Sequence, residues 1–139
     1  MKRITAIVFS VLAILTTASG AMAQGTVVRA TIPFPFTVET RSLPAGTYEV
    51  VASLGTVIRI QNSLDPHITA YVATLPDSTE AHDNRNVMVF KKYGNQYFLH
   101  DIFCPAVMNV SLFRSREERQ VRQQSAMLND ASTILIAAK

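Results

Sequence analysis

Apolar and polar positions alternate along this chain over short runs, and each run marks out a strand. Residues 26–32 (TVVRATI) form the first. Pro33 and Pro35 interrupt the ladder, because proline has no amide hydrogen to donate. Phe34, Phe36 and Val38 then fall on one face of an edge or bent strand. Leu43-Pro44-Ala45-Gly46 reads as a type I turn, with proline presetting φ at the second position and glycine fitting the fourth. Strands are expected over 47–52, where Tyr48 and Val50 share a side, over 57–61 and over 68–74. Residues 75–86 contain Pro76, Asp77, Ser78, Asp83 and Asn84 and exceed an ordinary hairpin connection, so a surface loop is expected. Residues 87–93 and 97–103 flank Gly94-Asn95, the strongest local hairpin signal in the chain.

The period changes at Ser115. Ser115-Arg116-Glu117-Glu118 is a capping box, in which the serine accepts from the amide of Glu118 while the Glu118 side chain reaches back. Helix-favouring residues run to about Met127, with Val121 and Leu128 on one face, and Asn129-Asp130 stops the helix. Residues 134–138 read as a last strand or as an apolar tail packed on the sheet. The pattern therefore predicts an all-β fold. The expected architecture is an antiparallel sandwich or small barrel of about 7–8 strands, with one helix near the C-terminus.

The N-terminus carries a different signal. Lys2 and Arg3 precede a nearly continuous apolar stretch from Ile4 to Leu15, and Ala21-Met22-Ala23 is the small-x-small pattern of a signal-peptidase site. The stretch falls short of the ~20 residues that span a bilayer. Residues 1–23 are therefore expected to be a cleaved signal peptide, leaving 24–139 as a single β-rich domain. Cleavage removes 23 of the 139 residues and leaves 116, enough for one core and too few for two. It also takes Lys2 and Arg3 from the 13 basic residues, leaving 11 against 10 acidic ones. So balanced a chain has no general attraction for nucleic acid, and no second apolar run approaches membrane-spanning length. The expected location is exported, periplasmic or extracellular. Cys104, the single cysteine, cannot close an internal disulfide, so it is either buried and inert or bridged to another chain.

Ile32-Pro33-Phe34-Pro35-Phe36-Thr37-Val38 followed by Leu43-Pro44-Ala45-Gly46-Thr47-Tyr48 resembles a group of small uncharacterised secreted bacterial proteins with an I-P-F-x-F … L-P-A-G-x-Y pattern. Segments similar to the hairpin at 90–99 and to Ser115-Arg116-Glu117-Glu118-Arg119 follow in that group. The resemblance covers most of the mature chain and implies a fold and a location but no activity. Pro35 departs from the polar residue expected there, and Glu39-Thr40 replaces a more glycine-like turn.

Candidate chemistry is sparse. His100 and Cys104 would share a face of one regular strand, yet four residues at ~3.3 Å each separate their backbones by ~13 Å, beyond the reach of a nucleophile–base pair. No G-x-S-x-G or other nucleophile signature appears. His67, His82 and His100 sit in separate segments, and Asp65, Asp77, Asp83 and Asp101 assemble no calcium loop, so no metal and no cofactor are expected. Arg114, Arg116, Arg119 and Arg122 could line up as a basic stripe. Glu117 and Glu118 lie among them, and the Glu118–Arg122 spacing favours an ordinary charged helix face. Tyr93, Tyr97, Phe98 and Phe103 fit cross-strand pairs in a core. The expectation is a non-enzymatic secreted envelope protein, a binding or structural accessory with an envelope protein as possible partner. The alternative is a carrier of a small apolar ligand in a partly closed β-barrel, its cavity lined by Phe34, Phe36, Tyr48 and Phe98.

Overall fold

The computed structural model describes residues 27–139 apart from 54, 77–84, 106 and 129–130. The expected signal peptide and most of the long loop, with Asp77, His82 and Asp83, lie outside the described residues, as does the side chain of Leu128. The strands are β1 (Val27–Ile32), β2 (Phe36–Val38), β3 (Arg41–Leu43), β4 (Gly46–Ala52), β5 (Val57–Asn62) and β6 (Thr69–Pro76), then β7 (Val87–Tyr93), β8 (Gln96–Cys104), β9 (Met108–Leu112) and β10 (Ala131–Ala137). The helix α1 (Arg116–Leu128) lies between β9 and β10. The described residues thus hold ten strands where the pattern indicated seven or eight. The two extra ones, β3 and β9, are short, with three and five residues.

The strands run in the order β1-β4-β5-β6-β9-β8-β2-β3, with β7 branching from β8 and β10 pairing with β7. All pairings are antiparallel except one contact between β2 and β8, where Thr37 lies beside Phe98 in parallel. The sheet is therefore mixed, and it folds over as a sandwich without closing into a barrel. β6 carries the chain between layers: its first half pairs with β5 and its last three residues with β9. At the opposite seam, β1 meets the chain end at Ala30 and Ala138. There the Arg29 amide donates to the Lys139 carbonyl at 2.9 Å, and the Lys139 amide returns a 2.8 Å bond.

The period-two pattern supplies the core. Val28, Ala30 and Ile32 of β1 face Tyr48 and Val50 of β4, Ile58 and Ile60 of β5, and Met88 and Phe90 of β7, all buried. Phe36 meets Tyr48 and Phe90 edge-on, with ring centroids 5.2 and 5.4 Å apart. Cys104 lies in the same cluster with none of its surface exposed, and burial pushes its thiol up to about 11. Of the two expectations for this cysteine, the buried one describes the fold.

Local chemistry sets the turns. The Tyr48 hydroxyl donates to the Pro44 carbonyl at 2.7 Å, tying β4 back to the turn before it. Asn62 accepts from the amides of Leu64 and Asp65 and so shapes the β5–β6 turn. A β-carbon on Gly46 would stand 2.7 Å from Asn62 Nδ2, so a larger residue there would push the Asn62 side chain from the turn it shapes. In the helix, half of the capping box forms, with the Glu118 amide donating to Ser115 Oγ at 3.0 Å. The Glu118 carboxylate turns inward to Tyr93 instead of closing the other half. Among the described side chains of α1 the buried ones are Glu118 and Ser125, both polar, while Val121 is half-buried.

Candidate functional site

The outer faces of β7, β8 and β9 carry a polar cluster beside α1, and a β-bulge aims it. Val89 pairs with Asp101 and Phe90 with Leu99, so His100 is an extra residue in β8. A regular strand would put His100 and Cys104 on one face. The bulge breaks that parity: Cys104 stays in the core while His100 turns out to Arg114. The strand-sharing expected for this pair is therefore correct, and the face-sharing is not.

His100 stands in a chain of bonds. Ser111 Oγ donates to Asp101 Oδ1 at 2.6 Å, and Asp101 Oδ2 lies 2.8 Å from His100 Nδ1. Arg114 Nε donates to His100 Nε2 at 3.1 Å. A guanidinium can only donate, so Nε2 accepts and the ring proton sits on Nδ1, facing the carboxylate. In a serine–histidine–aspartate relay the hydroxyl occupies the far nitrogen of the imidazole. Here the serine sits on the carboxylate and arginine holds the far nitrogen.

Glu118 lies next to this chain. It is 3% exposed, faces His100, Arg114, Arg122 and Tyr93, and leaves Oε1 without a hydrogen-bond partner among the described residues. Burial raises its pKa above the usual carboxylate range, and the four neighbours only partly oppose this. Tyr93 is raised too, first by burial and then by the Glu118 charge.

Where α1 passes over β7 and β10, a groove of about 250 Å³ opens, lined by Lys91, Tyr93, Arg114, Arg122 and residues 131–133. Strand register builds its floor, since Lys91 lies opposite Thr133 and Tyr93 opposite Ala131. Lys91 Nζ donates to Thr133 Oγ1 at 2.9 Å. Of the four arginines expected to share a helix stripe, Arg114 and Arg122 line the groove, while Arg116 and Arg119 do not and are exposed.

Of the aromatic residues expected to line a ligand cavity, Phe34 and Phe36 both meet Phe90 edge-on, with ring centroids 5.3 and 5.4 Å away. Phe36 and Tyr48 pack on each other in the core. Phe34 is half-buried and stacks on Tyr97 at 4.1 Å. Phe98 pairs with Tyr93 at 6.0 Å, away from that cluster. Phe36 also borders a shallow 250 Å³ surface hollow with Thr37, Ser42 and Glu117. A wider crevice of about 440 Å³ follows the β1–β10 seam between Arg29 and Lys139. Phe103 is buried with Val87 and Val89 in a small separate cluster. His67 is exposed in the β5–β6 turn. Among the described residues no three His, Cys, Asp or Glu side chains gather as metal ligands, and no helix is long and apolar enough to cross a membrane.

Sequence reasoning missed Lys91, Ser111 and the inward turn of Glu118. Alternation over 108–112 was the signal for β9, and with it for Ser111 facing Asp101. No protein-family model matches the chain, and comparison with curated proteins and solved structures returns no match.

Proposed function

We propose that this is an exported envelope protein that acts by binding, without catalysis of its own, and that its working face is the groove beside α1. One observation carries the reading: cationic side chains from β7, the β9–α1 connection and α1 converge with Thr133 on one recess. Cations from three elements need the tertiary fold to meet, unlike a stripe on one helix. The signal-peptide pattern and the resemblance to small secreted bacterial proteins support export. Two arrangements speak against catalysis. The Nε2 lone pair of His100 is taken by Arg114, and the Cys104 thiol is buried with its pKa raised. The apolar-carrier alternative loses support, because Phe34 and Phe36 pack on Phe90, Tyr48 packs on Phe36 and Phe98 packs on Tyr93, so these rings fill space against other rings.

Native mass spectrometry of the protein recovered from its host's envelope tests this reading. The expected spectrum shows a chain beginning near Gln24 with a ligand or partner retained, and that species disappears in a Lys91→Gln/Arg122→Gln double variant. A bare chain, or a retained species indifferent to the double variant, would overturn the groove as the working face.

A further inference from the structure

Arg114, Arg122 and Lys91 present more positive charge than a surface recess needs for its own stability. A strand lysine, a connection arginine and a helix arginine line the same 250 Å³. Like charges so gathered repel unless a counter-charge sits among them. The nearby internal counter-charge is Glu118, buried against Arg114 and Arg122 with Oε1 unpartnered. A buried carboxylate with an empty acceptor site is a poor permanent partner, because desolvation costs it what pairing returns. An external anion that keeps part of its hydration would suit the arginines better. The groove also offers the hydroxyl of Thr133, beside the Lys91 ammonium in a recess open to solvent. Guanidinium forks, an ammonium and a hydroxyl together match a tetrahedral oxyanion.

We infer that the groove receives a sulfate- or phosphate-ester group, held by Lys91, Arg114 and Arg122, and that Glu118 is the internal anion against which this group competes. The inference rests on the groove being the working face and adds the chemical class of what it binds. Ester-linked oxyanions reach an envelope protein from two sources, lipid headgroups and soluble or polymeric esters. Both present the same terminal group.

Competition makes affinity depend on pH in a defined sense. Glu118 is faced by Tyr93 from β7, His100 from β8, Arg114 from the β9–α1 connection and Arg122 from its own helix. When Glu118 takes up a proton, both arginines lose their internal anion and the external one binds more tightly. Sulfate keeps its double charge across the neutral and mildly acidic range, so a pH effect on sulfate binding belongs to the protein.

Calorimetric titration of the mature chain with sodium sulfate, at constant ionic strength, is the test. Saturable one-to-one binding is expected, weakened about tenfold by Arg122→Gln and by Lys91→Gln. Both side chains reach solvent, so neither change removes core packing. Affinity should rise as pH falls and Glu118 takes up its proton, which its raised pKa moves to higher pH than for an exposed carboxylate. In Glu118→Gln it should be several-fold tighter at neutral pH and nearly independent of pH, whereas His100→Asn, which removes the imidazole facing Glu118, should keep the dependence. Glycerol 3-phosphate, and phosphatidylcholine vesicles with and without phosphatidic acid, separate the two sources. Binding confined to the vesicles assigns the group to a lipid, and binding to the soluble ester assigns it to free or polymeric esters. No saturable binding to any of these probes, or binding that Arg122→Gln and Lys91→Gln leave intact, overturns the oxyanion site. An affinity unchanged in Glu118→Gln overturns the competition. If the probes fail while native mass spectrometry still shows a species lost in the double variant, the ligand class falls and the binding reading stands.

Discussion

Burial acts on Cys104 and Glu118 in the same direction, raising both pKa values by penalising the charged form. For Cys104 the consequence is chemical. The thiolate is the reactive species, and a thiol raised to about 11 and fully buried offers almost none near neutrality. Iodoacetamide should leave the native protein unmodified and label it once urea unfolds it; intact mass before and after urea reads the outcome. For Glu118 the consequence is a stability that depends on pH. Its folded pKa lies above its unfolded one, so over the window between them the folded state holds more protons and stability falls as pH rises. Glu118→Gln removes that titration and keeps a group able to bond Tyr93. The variant should be more stable than wild type at neutral pH, by on the order of 1 kcal/mol, and the two should converge in acid below the ordinary carboxylate range. Urea midpoints at several pH values measure this, and a wild type that gains stability towards neutral pH through this group would refute the assignment.

At the level of elements, two hairpins show how much a turn depends on one residue. The β7–β8 and β2–β3 loops each have two residues, with positive φ at the first: Gly94 at 60° and Glu39 at 54°. A positive φ there matches the two-residue turn that favours glycine at its first position. Glycine takes that region freely, whereas a side chain is crowded against its own backbone. Glu39→Gly should therefore stabilise the fold by ~0.5 kcal/mol and Gly94→Ala should destabilise it by ~1 kcal/mol, both read from urea midpoints. The departure of Glu39-Thr40 from a glycine-like turn was visible in the sequence as an oddity, and the structure gives it a conformation. Most elements were similarly legible, because alternation and turn chemistry are local: β1, β4 to β8, and the helix start at Ser115 all follow from neighbouring residues. β3 was not, since Arg41–Leu43 spans three residues and gives no period, whereas the alternation over Met108–Leu112 was present and went unread. The helix face was read only in part, because apolar spacing does not report a buried polar side chain. That spacing pointed to Val121 and Leu128; Val121 is half-buried, and Glu118 and Ser125 are buried beside it, where the surface carries Tyr93 and the groove cations.

Over the whole molecule, what the sequence could not disclose is what meets across distance. The bulge at His100, the union of Lys91 with Arg114 and Arg122, and the pairing of Arg29 with Lys139 all depend on register between strands far apart in the chain. The last of these has a consequence for stability. β10 pairs with β7 along all seven of its residues, and the chain beyond it bonds to β1, so it links the two layers at the seam. Ile134 and Ile136 also pack against the main core, and Thr133 holds the Lys91 ammonium at the groove. Losing β10 would expose the free edge of β7 and uncover apolar surface beside Met88 and Phe90, both fully buried in the intact fold. A chain ending at residue 130 should therefore lose its cooperative urea transition and its near-ultraviolet circular dichroism, and should aggregate through the open edge. Ile136→Ala, a milder change, should keep the fold and cost about 2 kcal/mol. Adding a synthetic peptide of residues 131–139 to the shortened chain should restore part of the lost dichroism, since the missing strand needs only its edge and its apolar face to dock. If the shortened chain instead keeps a cooperative transition at the midpoint of the full one, β10 is a covering segment, and the seam between Ala30 and Ala138 contributes nothing to holding the layers together.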